Sequence, residues 1–110
     1  MMKKVYICAP HGAESPEAME RIKEYAQFAL RCGTAPVVPH FYTLCLPDAT
    51  DRELRDTAGM SLLWFCDELW IFGDHVTKEM KKEIDFCKML NIRTRKVNEN
   101  EIDKKIGGKA

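Results

Sequence analysis

The pattern in this chain most able to do chemistry is a carboxylate set against an apolar stripe. Met80, Ile84 and Cys87 recur at helical spacing and define the buried face of a helix. Glu83 lies one turn from both Met80 and Cys87 and so borders that face, whereas Lys81, Lys82 and Asp85 fall on its wet side. Taking an ionised carboxyl out of water costs free energy unless the group is partnered. A catalytic carboxylate near a cleft is one reason to tolerate that cost. The plain alternative is a solvated glutamate at the rim of a helix interface.

Other polar residues fall near Glu83 if the apolar runs are strands of a parallel sheet. His11 follows the first run, His40 the second and His75 the third. All three would then lie at the carboxyl edge, where open α/β sheets bind ligands. Their spacing fixes no coordination geometry, and no metal or cofactor is assigned. Asp67 opens the third run. Gly12 and the free amides beyond Ser15 could receive an anion, because helix N-termini attract negative charge. The chain has neither G-x-G-x-x-G nor G-x-x-x-x-G-K-[ST], which argues against a dinucleotide fold and a P-loop.

The positioning elements read as follows. Val5–Ala9 is almost continuously apolar, as expected for a strand buried on both faces. Ser15-Pro16 is a helix start, and Met19, Ile22, Ala26, Ala29 and Leu30 carry the helix to about Arg31, before the stop at Gly33. A short strand covers Ala35 to Val38, with Pro36 near its start. Thr43 to Thr50 is expected to be loop. A second helix begins near Asp51, with Leu54, Ala58, Ser61, Leu62 and Phe65 on its apolar side and Gly59 in its interior. Leu69–Phe72 is the third strand, Thr77 caps the helix that bears Glu83, and Ile92–Val97, with Arg93, Arg95 and Lys96, is an edge or half-exposed strand. After Asn98 the chain is charged and reads as a short helix or a frayed tail.

The β-α-β-α-β-α-β order predicts a three-layer α/β/α sandwich around a four- to five-stranded parallel sheet, with one domain over residues 1–98 and a charged tail over 99–110. Basic and acidic residues balance at 17 each, which gives no electrostatic footprint for a nucleic-acid polymer and little repulsion against self-association. Five widely spaced cysteines without C-x-x-C suit reduced thiols rather than a disulfide framework or zinc site. The opening Met1-Met2-Lys3-Lys4 leads into a run too short for a signal peptide or membrane span, so no membrane association and a cytoplasmic location are expected.

Four segments together resemble a known family. They are Lys4-Val5-Tyr6-Ile7-Cys8-Ala9-Pro10, Gly33 through Pro36-Val37-Val38-Pro39-His40-Phe41-Tyr42, Cys66-Asp67-Glu68-Leu69-Trp70-Ile71-Phe72-Gly73, and Thr77 to Ile84. They are similar to the nucleoside 2-deoxyribosyltransferase-like proteins, including a short phage and bacterial branch of unknown function, of the DUF4406 and DUF7768 type. The resemblance implies a flavodoxin-like sandwich, a nucleoside or nucleotide ligand, and chemistry at an N-glycosidic bond, by deoxyribosyl transfer or hydrolysis. A non-catalytic nucleotide-binding or regulatory domain, or an interaction module keeping only the sandwich, are the alternatives. By the same resemblance Glu83 is the nucleophile, Tyr6 orients it or meets the sugar, and Asp67 handles the base. Pro10, His11, Gly12, His40, Tyr42, Gly73, Thr77 and Met80 would line the substrate pocket. Glu79 stands where the family has a small residue, and Thr77 where the transferases have an acid. A homodimer or higher homo-oligomer that completes the site is also implied, with Leu62, Trp64 and Phe65 as contact candidates.

Overall fold

The computed structural model describes residues 1–10, 15–46 and 51–107. Strand β1 (Lys4–Cys8) leads into helix α1 (Pro16–Arg31) and strand β2 (Ala35–Val37). A 3-10 turn (Pro39–Phe41) and short helix α2 (Tyr42–Cys45) precede helix α3 (Arg52–Leu63) and strand β3 (Glu68–Ile71). Helix α4 (Lys78–Leu90), strand β4 (Arg93–Lys96) and helix α5 (Glu99–Ile106) complete the described chain. The four strands form one parallel sheet in the order β2-β1-β3-β4.

The apolar run of β1 serves both faces of this sheet. Val5, Ile7 and Ala9 pack with α1 residues Ile22, Tyr25 and Phe28 and with Ile102 of α5. Tyr6 and Cys8 point the other way, toward Leu63 at the end of α3 and toward Met80 and Cys87 of α4. Alternation along one strand thus builds two separate cores, which is why the run shows no polar positions. The result is the expected α/β/α arrangement, with four strands.

Local chemistry sets the helix boundaries. The Ser15 hydroxyl accepts from the Ala18 amide at 3.1 Å, and Pro16 starts α1 where its missing N–H costs nothing. Thr77 accepts from the Met80 amide at 3.2 Å and so fixes the start of α4. At the edges, β2 is only three residues long and contains Pro36, while β4 exposes Arg93 and Lys96.

Two expectations change, and one left open between two forms is decided. Of the expected loop from Thr43 to Thr50, Thr43, Leu44 and Cys45 belong to helix α2, and residues 47–50 lie outside the described residues. The buried side of α3 carries Gly59 and Leu63, not Leu54 and Phe65, which are 60% and 69% exposed. The helix ends at Leu63, so Phe65 has left the helical phase on which that apolar side was assigned. Of the two forms expected after Asn98, the chain takes the helix, which joins the core through the fully buried Ile102. Arg21 of α1 pairs with Asp103 at 3.1 Å and Glu99 at 3.3 Å, so the charged residues of α5 answer a cation on its neighbour.

Truncating Ile102 to alanine should therefore destabilise the whole domain by about 2–5 kcal/mol, the usual range for emptying such a site. Urea unfolding should show a lowered midpoint in a single transition. An unchanged midpoint would mean that α5 contributes nothing to the core.

Candidate functional site

A cavity of about 120 Å³ opens at the carboxyl edge of the sheet, on the α3/α4 side. Tyr6 and Ala9 reach it from β1, and Pro39 and His40 from the 3-10 turn. Arg55, Asp56, Gly59 and Met60 of α3 form one wall, and Glu79, Met80, Lys82 and Glu83 of α4, with its cap Thr77, form the other. A wider surface groove lined by Arg52, Glu53, Asp56, Thr57, Met60 and Lys82 shares three of these residues and leads outward between the two helices.

Glu83 sits at the back of the cavity, held by β1. The Tyr6 hydroxyl donates to Glu83 Oε2, and the Cys8 thiol donates to Oε1 at 3.4 Å. Burial pushes the Glu83 carboxyl up to about 7, with the Asp56 and Glu79 carboxylates adding to the rise. The Tyr6 and Cys8 donors oppose that rise, because they bond best to the ionised form. Burial, followed by the facing Glu83 charge, drives both Tyr6 and Cys8 far above their ordinary values, so each stays a proton donor. The result is a half-buried carboxylate, near half-ionised at neutral pH, with a neutral donor on each oxygen.

Gly59 makes the Tyr6–Glu83 contact possible. A Cβ there would come 3.0 Å from the Tyr6 hydroxyl oxygen and 3.3 Å from Pro39 Cβ. Glycine inside a helix costs about 1 kcal/mol relative to alanine. Here it leaves room for the Tyr6 hydroxyl to pass beneath α3.

The residues expected at the site separate into groups. Tyr6, His40, Thr77, Met80 and Glu83 share the cavity. His40 is buried, and its Nε2 donates to the Ala9 carbonyl at 3.1 Å, which ties the 3-10 turn to the end of β1. Pro10 and Gly73 meet each other at the same edge but do not line the cavity. Gly73 has φ 95°, and a Cβ on it would stand 2.7 Å from Pro10 Cδ, so both backbone and space demand glycine. Tyr42 is half-buried outside the lining, and His11 and Gly12 lie outside the described residues.

Asp67 does not join Glu83. It precedes β3 at the amino edge of the sheet, where its carboxylate accepts from the Lys4 backbone amide at 2.8 Å and pairs with the Lys4 ammonium at 3.7 Å. That backbone hydrogen bond is the main reason its carboxyl is held below the usual range. At about 3.3 Å per residue, the length of β3 puts Asp67 about 13 Å from the carboxyl edge. The expected base-side acid is therefore at the wrong end of the sheet. His75 is exposed, bonded to Asp74 at 2.7 Å, and does not line the cavity that His40 lines. Among the described residues, no cluster of three or more metal-ligating side chains forms.

Glu79 holds another position that the resemblance left open. Its own backbone amide and the Thr77 hydroxyl keep its carboxyl below the ordinary range. The side chain thus supplies its own anion to the α4 N-terminus.

Sequence reasoning missed Arg55 and Asp56. Both lie between Leu54 and Ala58 of the helical pattern set by Leu54, Ala58, Ser61, Leu62 and Phe65, which gives them no role. Gly59 carried the signal: a glycine within a helix marks a close approach, and Arg55 lies one turn before it on the same side.

The fold and pocket define a small parallel α/β sandwich with a carboxylate-bearing cavity at the carboxyl edge of its sheet. Residues 3–97 match the family described as a domain of unknown function (DUF7768), and the chain belongs to that family. No curated protein matches it.

Replacing Glu83 by glutamine tests the electrostatics directly. The unfolded chain ionises this carboxyl near 4.5, whereas the folded chain keeps its proton up to about 7. Between those values the native state binds the extra proton, so stability falls as pH rises and the loss is complete above about 7. The shift corresponds to at most roughly 3 kcal/mol. Glu83→Gln should therefore be more stable than the native protein by about 1–3 kcal/mol at pH 8, and nearly equal to it at pH 4.5. Urea melts at the two pH values read the difference; an equal gain at both would exclude burial of the charge as its source.

Proposed function

We propose that the cavity takes the sugar of a nucleoside or nucleotide and that Glu83 is the nucleophile at its N-glycosidic bond. The observation that carries this reading is the Tyr6–Glu83 hydrogen bond inside a ring-sized cavity. A dry cavity of about 150 Å³ holds a benzene ring, so about 120 Å³ is room for one small ring and no more. The rest of a ligand would extend into the groove between α3 and α4.

In the proposed step a Glu83 oxygen bonds to the anomeric carbon as the carbon–nitrogen bond breaks, and that electron pair leaves with the base, which takes a proton from water. Water, or a second base, then attacks the same carbon and frees Glu83. The transition state is oxocarbenium-like, so a nearby anion stabilises it before bonding to it. Tyr6 holds the carboxylate in place for that attack. The similarity of four sequence segments to the nucleoside 2-deoxyribosyltransferase-like proteins supports the same chemistry.

A second reading, a nucleotide-binding or regulatory domain without turnover, is favoured by one specific arrangement. Glu79 occupies the α4 N-terminus, Thr77 is used as its cap, and Asp67 is at the far edge, so neither Thr77 nor Asp67 offers an acid to the leaving base. In both readings the chain acts in the cytoplasm as a homodimer or larger assembly, with the exposed Trp64 and Phe65 offered to a second copy.

Chromatography of deoxynucleosides and deoxynucleotides after incubation with the protein separates the two. The enzyme reading expects base release or exchange that falls to background in Glu83→Ala. The rate should drop about tenfold per pH unit below about 7, because the nucleophile must be ionised. Ligand-dependent melting without release in the native protein would sink the enzyme reading and leave the binding domain.

A further inference from the structure

Arg55 and Lys82 are the cations that line the inner cavity, and the donors of Arg55 are poorly used. The side chain is 12% exposed. Its Nη1 donates to the Thr43 hydroxyl at 3.3 Å. Its Nε is shut off from solvent without a hydrogen-bond partner, and its ion pair with Asp56 spans 3.6 Å. A guanidinium has five N–H donors in a rigid fork. Among the described residues, one hydrogen bond occupies them. Buried charges are ordinarily both paired and hydrogen-bonded, since leaving donors dry costs free energy.

From this geometry we infer that Arg55 is an oxyanion receptor, and that the ligand of the Glu83 cavity carries a phosphate or carboxylate which the guanidinium grips. The inference rests on the reading of this cavity as a ligand site, and it makes the ligand an anionic sugar derivative rather than a neutral nucleoside. The planar fork matches two oxygens of either anion at once, which a lysine could not do. Arg55 and Glu83 project from facing helices into one cavity of about 120 Å³, so a ring seated against Glu83 faces the guanidinium, and its charged substituent extends toward the groove between α3 and α4. Lys82 stands at the mouth on α4 and Arg52 lines the outer groove, which adds positive charge along the approach. Asp56 is 44% exposed and Glu79 is also exposed, so water screens both more than it screens Arg55. The α4 N-terminus is not available for this anion, because Glu79 already serves it.

Titration of the ¹⁵N side-chain resonance of Arg55 Nε, with inorganic phosphate, acetate, ribose 5-phosphate and ribose as probes, tests the inference. Phosphate or acetate should shift the resonance, and the stronger of the two identifies the anion. Ribose 5-phosphate should bind roughly tenfold to hundredfold more tightly than ribose, the range of a charged hydrogen-bonded contact. Arg55→Met should abolish that preference and Arg55→Lys should keep part of it. If Arg55→Met fails to fold by circular dichroism, the native titration and Arg55→Lys decide. An Arg55 resonance unmoved by either oxyanion, or an undiminished preference in Arg55→Met, overturns the proposal. A preference for ribose 5-phosphate without any base release by the native protein would sink the glycosidic reading alone. Base release without the preference would sink the role of Arg55 alone.

Discussion

The hydrogen bond from Tyr6 to Glu83 ties the two structural halves of this protein together. Tyr6 belongs to the central strand and Glu83 to a surface helix, so the contact spans the second core and fixes α4 against the sheet. Much of the local sequence answers to it. Gly59 clears the space that the tyrosine needs, Cys8 supplies the second donor, and Met80 and Cys87 close the apolar floor beneath the carboxylate. Without these partners a carboxyl group in that place would be a simple loss of solvation. With them it is a carboxyl group that titrates near neutral pH.

Strands and helices were largely legible because each relied on local signals. The continuous run of β1, the Ser15-Pro16 start, the Gly33 stop and the Thr77 cap each follow from backbone hydrogen-bonding needs that the sequence displays. The placement of Glu83 beside its apolar stripe was legible for the same reason. What failed were inferences about which side of an element faces inward when the apolar residues do not decide it. Helix α3 buries a glycine and one leucine, while larger apolar residues lie outside, so hydrophobic periodicity pointed to the wrong side and hid Arg55.

Asp67 failed for a different reason. A motif fixes the order of residues, but a strand has two ends, and its functional edge depends on which end receives the loops. Asp67 and Gly73 belong to one continuous segment of sequence, yet β3 separates them by its own length. Resemblance placed both near the substrate; the geometry gives Gly73 to the carboxyl edge and uses Asp67 to anchor the start of β1 through Lys4.

The borders of the sheet carry a consequence for how copies of this chain can meet. Strand β2 offers only three residues and lacks one amide at Pro36, and β4 turns Arg93 and Lys96 outward, with Arg95 laid over the Trp70 ring. Neither border is a template for a foreign strand. The ladder is thus closed to lateral growth, which protects the protein from ribbon-like polymerisation. These edges leave helix surfaces and side chains as the better-suited ground for contact between copies.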